Sequence, residues 1–600
     1  MSQFDERQDL RIGKIIEVSG ESIRVELGAD LAELTRIVEG RVYPIGQLGS
    51  IVKVHYGRKL LFAYVRLLRM RSEMAIEEGS ARIAPGDDSR ILEADLFAQG
   101  VWRGAPQGLS ISRGVELYPL PLQGVYLTTA EELDALFAAA ERADNHNGVS
   151  PLVAIGTYVG SNGAICRANI DKLVGQHCAV LGSTGSGKSG TVAALVHAML
   201  NHKRAETDES IRPRIVMIDP HGEYGAAFNA QCQVLRAYAS AGHDGNTAEL
   251  RLPYWLMSGD ELRALIIGKT EAEATSQNNI VYKALKHARM VSAGIVTPLP
   301  DNATGDLPET LCAGKTQADV SAFDRDKPVR FSLDEFERHI SMVQGRKPAK
   351  TELLSASDRK SHDSILDKLT VLRTDPRLQF LMRDDPTDTL SQSVLQLTGS
   401  SAGGATVKIV DISGAPNEVA GTLTALICRL LFNFKVWQTR EQREKDPILL
   451  VCEEAHRYVP DRGEAQYKEA QEAVRRIAKE GRKYGLGLML VSQRPSDVES
   501  TVLSQCNSWI ILRLTNGSDQ DHVRRFLPDS LAGITRMLSS LGRREAVFVG
   551  EAAALPARIR IRELGADQLP DSNDISFAGG WAYAPNDAAA VEPVLTRWTN

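Results

Sequence analysis

The stretch Gly182-Ser-Thr-Gly-Ser-Gly-Lys188-Ser189 limits what this chain can fold into more than any other. It follows a short apolar run, Cys178-Ala-Val-Leu181, that reads as a buried strand, and residues 191–200 after it read as a helix. Strand, loop and helix in that order are the setting in which G-x-x-x-x-G-K-[ST] binds phosphate. Glycines let the backbone turn its N–H groups inward without Cβ clashes. Those groups and the positive end of the next helix then form an anion cradle. On this pattern Gly182, Ser183, Thr184, Gly185, Ser186, Gly187, Lys188, Ser189 and Gly190 surround the phosphates of ATP. Lys188 reaches the β- and γ-phosphates, and the Ser189 hydroxyl ligates Mg2+. A Gly/Ser-rich connecting loop is the plain alternative, and the flanking strand and helix weigh against it.

Six hundred residues exceed what one core accommodates, so two or more domains are expected. The net charge of −6 neither supports nor excludes nucleic acid, because binding charge can be local. No uninterrupted apolar run approaches the ~18–20 residues that span a bilayer. The most apolar helical segment, near residues 422–434, is interrupted by Arg429. The first residues, Met-Ser-Gln-Phe-Asp-Glu-Arg, lack the basic-then-apolar pattern of a signal peptide. Cysteines at 166, 178, 232, 312, 428, 452 and 506 form no C-x-x-C pair. They read as reduced, mostly buried thiols rather than disulfides or zinc ligands. The expectation is a cytoplasmic chain with no membrane segment.

Residues 10–70 alternate in short runs, such as Ser22-Ile-Arg-Val-Glu-Leu27 and Lys59-Leu-Leu-Phe-Ala-Tyr-Val-Arg-Leu67, separated by tight-turn residues. That spacing predicts a small β-barrel. A loop is expected over 77–108, more β over 113–128, and a helix over 129–142. The fold class that follows is α/β: a phosphate-loop core with a helical insertion, preceded by a small N-terminal β-barrel; the family resemblance drawn below implies that the core is RecA-like. The expected boundaries are 1–148 for the barrel with its helical end, 149–260 and 396–566 for the core, 261–395 for the insertion, and 567–600 for an extended tail.

Within that core, Ile215-Val-Met-Ile-Asp219 is an apolar strand ending in Asp219-Pro-His-Gly-Glu-Tyr224. Carboxylates at such an edge sit near the phosphates in doubly wound sheets. Glu223 therefore reads as a water-orienting or metal-facing group, with an ordinary turn as the alternative. Pro447-Ile-Leu-Leu-Val-Cys-Glu453-Glu454-Ala-His456 is an apolar strand ending in two acids. Glu453, where Asp is usual, is expected to hold Mg2+ through water, and Glu454 to polarise the attacking water. Gln493 follows the strand Gly487-Leu-Met-Leu-Val-Ser492 and is placed to sense the γ-phosphate. The helix at 466–484 carries Arg475, Arg476, Lys479, Arg482 and Lys483. Arg482 is a candidate arginine finger, although a basic run of this kind is also an ordinary solvated face.

Taken together these residues resemble the HerA family of hexameric DNA translocases, relatives of the FtsK motors. The resemblance rests on 182–189, Asp219-Pro-His-Gly-Glu-Tyr224, Leu252-Pro-Tyr-Trp-Leu-Met257, Glu453-Glu-Ala-His456, Glu480-Gly-Arg-Lys-Tyr-Gly485 and Ser492-Gln-Arg-Pro495, and it spans roughly 150–560. It implies a homo-hexameric ring hydrolysing ATP at subunit interfaces, with double-stranded DNA in the central channel. It also implies a partner docked on the barrel ring, a NurA-like or other nuclease or a sirtuin-like NAD-consuming effector. DNA end processing and anti-phage defence are the associated roles. An ATPase ring that mainly scaffolds and activates such an effector is the alternative, and a conjugation motor or a non-hydrolysing nucleotide-binding module are further ones. No helix-turn-helix, zinc finger or aromatic stacking array points to sequence-specific binding. Any DNA contact would then go to phosphates.

Overall fold

The structure, a computed structural model, describes residues 4, 6–31, 33–77, 88–103, 108–205, 207–238, 246–268, 275–399, 404–461, 467–528, 531–572, 575–583 and 588–599. Two compact units emerge. One comprises Met1–Arg212, Met489–Ser496 and Leu503–Asp567, the other Pro213–Leu488, Asp497–Val502 and Gln568–Asn600.

The first unit opens with a barrel. Six antiparallel strands close on themselves in the order Ser22–Leu27, Arg11–Ser19, Gly124–Leu127, Ile51–Tyr56, Lys59–Met70 and Arg90–Trp102, the last pairing back to the first through Ser22↔Asp95 to Glu26↔Ile91. Closure removes the sheet edges that would otherwise invite pairing with other chains. Alternate positions, among them Ile15, Ile23, Val25, Val54, Leu61 and Val125, fill the interior. The loop expected over 77–108 is replaced, among its described residues, largely by the strand Arg90–Trp102. Its acids interrupt the apolar pattern, but Arg66 and Arg69 on the neighbouring strand neutralise Glu93 at 2.7 and 2.6 Å. A buried ion pair between Lys53 and Glu132 ties the barrel to the helix Ala130–Ala140, whose capping box Glu132 also closes.

The rest of this unit is built on a sheet run. Its order is Ile165–Asn169, Leu152–Tyr158, Ala557–Ile561, Glu545–Gly550, Ser508–Ile511, Cys178–Leu181 and residues 489–492. Cys178–Leu181 is wholly buried and parallel to both its neighbours.

In the second unit Ile448–Cys452, Arg214–Asp219, Val407–Asp411, Cys232–Arg236 and Thr247–Glu249 run parallel in that order. The continuous Val/Ile/Leu runs of the first three strands are those of a sheet covered on both faces. Helices Asn417–Trp437 and Lys468–Tyr484 pack on each other; Ala470, Val474, Ile477, Ala478 and Gly481 form the buried stripe of the second. By length and composition Val419–Trp437 passes for a membrane span, against the sequence expectation, but 78% of that window is buried inside the protein. Arg429 in its middle makes two 2.7 Å bonds to the buried Glu261 and one of 2.6 Å to the Leu256 carbonyl.

The region between Thr247–Glu249 and Val407–Asp411 is mainly helical, in keeping with the expected helical insertion. The spacing Ser332-Leu-Asp-Glu335 predicts a capping box; Ser332 does cap Leu333–Arg338, but Glu335 does not close the box. Its carboxylate is taken by His287 and the Leu299 N–H. Beyond 567, where an extended tail is expected, Phe577–Gly580 and Ala588–Thr599 are helical.

Candidate functional site

The phosphate-loop sequence springs from the buried end of Cys178–Leu181 and is pinned from both sides. The Gly182 N–H donates to the Ser492 carbonyl at 3.3 Å, and the Ser183 N–H to the Arg513 carbonyl at 2.9 Å. Thr515 N–H donates back to Ser183 Oγ at 3.1 Å. Two glycines are required by backbone sign, Gly185 at φ +72° and Gly187 at φ +93°. Gly182 is required by space: a Cβ there would stand 2.5 Å from Ser186 Oγ and 2.9 Å from Leu512 Cβ. Lys188 opens the helix Lys188–Leu200, whose remaining first-turn N–H groups point toward the loop's concavity as at any helix start. The buried Ser186 hydroxyl has no hydrogen-bond partner among the described residues. A turn of N–H groups, a buried hydroxyl and open space at Gly185 and Gly190 make a cradle that fits a phosphate.

Gln493 stands at this loop. The register Leu181↔Ser492 sets it one residue past its strand, and Thr184 Oγ1 donates to its Oε1 at 2.7 Å. That bond links the Gln493 amide directly to a hydroxyl of the loop.

The carboxylates lie in the second unit, on two adjacent strand ends set by Ile218↔Cys452. Asp219 is 1% exposed and accepts the N–H groups of His221 (3.1 Å), Gly222 (2.9 Å) and Tyr224 (3.1 Å). Burial pushes its pKa up to about 6 against the pull of those N–H groups, with Asp411 adding to the rise. Asp219 is thus spent on building the turn, and Glu223, half-buried, is presented by it. The Glu223 carbonyl also accepts the Asp571 N–H at 2.8 Å.

Glu453 is 4% exposed and accepts the hydroxyl of the fully buried Tyr224. Glu454 takes a left-handed backbone conformation, φ +48° and ψ 49°. For a residue other than glycine this costs on the order of 1–3 kcal/mol and is found where surroundings impose it, functional sites among them. His456 Nδ1 lies 3.2 Å from Glu454 Oε2.

On the basic helix, Arg475 is bound to Glu499 at 2.9 Å and the Arg476 guanidinium sits 4.4 Å over the Phe432 ring. Arg482 is exposed, and its side chain makes no hydrogen bond or ion pair among the described residues. Sequence reasoning stopped at the acids and missed Tyr224 and His456, although both stand inside the motifs it quoted.

Other clusters raise the question of a metal. Among the described residues His287, Glu309 and His339 come within 4.8 Å of one another. His287 faces Glu309 through Nδ1 (2.9 Å) and Glu335 through Nε2 (2.9 Å). Burial lowers the His287 pKa, but the hydrogen bonds to the two glutamates outweigh it and the net shift is upward. Burial and the charges of His287 and Lys283 push His339 down to about 3.

Comparison with known proteins places these motifs in context. The family described as Helicase HerA, central domain, matches residues 153–431. The chain is similar to the DNA double-strand break repair helicase HerA of Pyrococcus furiosus, 25% identical over 437 residues, which are 68% of this chain and 69% of that one. With the protein of the same name from Sulfolobus acidocaldarius it shares 27% identity over 453 residues, 74% of each chain. Among solved structures, the plasmid coupling protein TrwB in complex with a non-hydrolysable ATP analogue is similar at a TM-score of 0.44 and 15% identity, over 74% of this chain and 94% of that one.

Proposed function

The chain belongs to the HerA/FtsK superfamily of phosphate-loop ATPases, and from that premise we propose that it is an ATP-driven motor that moves along double-stranded DNA. The observation that carries the reading is the ordered set of a phosphate loop, the Asp219–Tyr224 turn and an acidic pair. It lies within a chain similar over more than two thirds of its length to DNA repair helicases.

In this reading Lys188 holds the β- and γ-phosphates and the loop N–H groups cradle them. Ser189 and Glu453 are the residues that would hold Mg2+, which supplies neutralisation of phosphate charge when bound. Glu454 orients the attacking water and accepts its proton; its imposed backbone conformation and the nearby His456 fix the carboxylate for that task. Gln493 couples the γ-phosphate to the loop through Thr184. Glu223 assists at the edge of the site, and Arg482 serves a neighbouring subunit's nucleotide, consistent with its exposed, uncommitted side chain. That trans role requires a neighbouring subunit, and a homo-hexamer around the duplex is the assembly that the family resemblance implies. The barrel would dock the effector, a nuclease or a sirtuin-like protein in end processing or defence. Exposed Ile37 and Val42 on the barrel's Thr35–Val38 and Arg41–Pro44 hairpin support such a face.

The test is ATP hydrolysis with and without linear duplex, using Lys188→Ala and Glu454→Gln as controls. Stimulation by duplex, lost in both variants, is the expected result. Turnover indifferent to duplex would favour a ring that scaffolds and activates its effector. Nucleotide binding without any turnover would overturn the enzyme reading.

A further inference from the structure

We propose that Tyr224 is a positioning residue for Glu453, and that the pair replaces the shorter aspartate usual at this place. The proposal rests on the ATPase reading above.

Three observations carry it. First, Glu453 has one more methylene than aspartate and so one more torsion to fix before its carboxylate can act. Second, that carboxylate is buried, and the Tyr224 hydroxyl donates to its Oε1. Third, the tyrosine is itself held rigidly. Its N–H is bound by Asp219 Oδ2 at 3.1 Å, its ring is 1% exposed, and Phe228 lies parallel to it at 6.4 Å. The turn that presents Tyr224 depends on Gly222 at φ +70°, where a Cβ would crowd Asp411 and Ser413. Asp219 and Gly222 thus fix the turn that delivers the Tyr224 phenol to the Glu453 carboxylate. A fixed carboxylate orients a metal-bound water; a loose one must be ordered each time metal binds. Groups that hold a metal-facing ligand typically change metal affinity by about tenfold or more when removed.

The structure also supplies a control. Tyr458 is a second fully buried tyrosine near Asp219 and Glu453, and its hydroxyl has no hydrogen-bond partner among the described residues. Removing that hydroxyl deletes a buried phenol oxygen without touching the Glu453 carboxylate.

The experiment measures Mn2+ binding by electron paramagnetic resonance in the presence of ADP, alongside the metal dependence of ATP turnover. Tyr224→Phe is expected to weaken Mn2+ binding about tenfold and to shift turnover to higher metal concentration, with kcat recovering at saturating metal. Tyr458→Phe leaves both unchanged. Glu453→Asp withdraws the carboxylate from the phenol, so adding Tyr224→Phe to it produces no further loss; this arm stays informative if the single Tyr224 variant folds poorly. Wild-type metal dependence in Tyr224→Phe would overturn the proposal while leaving the ATPase reading intact. So would equal effects of the two tyrosine variants, or a full tenfold loss when Tyr224→Phe is added to Glu453→Asp. Wild-type protein that binds neither ADP nor Mn2+–ADP would overturn both.

Discussion

Replacing Arg429 by leucine exposes how the helical part of the second unit is held. The guanidinium makes a bidentate pair with Glu261, both bonds 2.7 Å, and a third bond to the Leu256 carbonyl at 2.6 Å. Glu261 is 3% exposed and closes the capping box of Gly259–Ile267 with Ser258. Leucine would leave a buried carboxylate without its counter-charge, a change that costs about 3–5 kcal/mol. The lower end applies, because Glu261 sits in the first turn of its helix, where the dipole recovers about 0.5–1 kcal/mol. A loss of about 3 kcal/mol corresponds to roughly a hundredfold in an opening equilibrium. Hydrogen–deuterium exchange followed by mass spectrometry reads this directly in peptides covering 259–267. Exchange there should accelerate by about that factor in Arg429→Leu, while the Lys188–Leu200 helix of the first unit exchanges as before. Converting both partners, Glu261→Gln with Arg429→Met, should cost less than Arg429→Leu alone, since no buried charge is then orphaned. Exchange in 259–267 within about threefold of wild type for Arg429→Leu would refute the reasoning.

Two further outcomes follow from other contacts. His287 has a pKa raised in the fold above its unfolded value of about 6.5, so its bridge to Glu309 and Glu335 stabilises fully below that value and is lost as pH rises through the folded one. Thermal denaturation should therefore show stability falling from pH 6 toward alkaline pH, with that component of the slope absent in His287→Gln; a parallel slope in the variant would contradict the assignment. Thr184→Val deletes the 2.7 Å bond to Gln493 without altering the loop backbone, and a lost hydrogen bond of that kind should lower kcat about two- to tenfold. Nucleotide affinity measured with a fluorescent ADP should hardly change, and a loss confined to affinity would show that the bond serves binding instead.

What the sequence made legible was local. The phosphate loop could be read because the signs of φ at Gly185 and Gly187 and the crowding at Gly182 leave glycine little competition, and that spacing is visible in one dimension. Apolar runs such as residues 215–219 and 448–452 announced buried strands because both their faces are covered. The barrel strand Arg90–Trp102 escaped notice because Glu93 and Asp95 look like loop residues until Arg66 and Arg69 are set beside them. Arg429 was read as an interruption of an apolar helix, but the helix runs through it, and its partner lies 168 residues earlier in the chain. The same holds for Tyr224 and Glu453, separated by 229 positions. Ser332-Leu-Asp-Glu335 reads as a capping box, yet the box does not close, because the Glu335 carboxylate is taken by a tertiary partner, His287. Side-chain pairs across such spans have no periodicity, so only the fold reveals them.

The central claim is movement on duplex DNA coupled to ATP, and third-strand displacement measures it most directly. A triplex-forming strand annealed within a linear duplex is released when a motor passes, without any need for strand separation or a partner enzyme. Wild-type protein with ATP and Mg2+ should displace it, and Lys188→Ala and Glu454→Gln should not. Vigorous ATP hydrolysis on bound duplex with the third strand left in place would contradict the account.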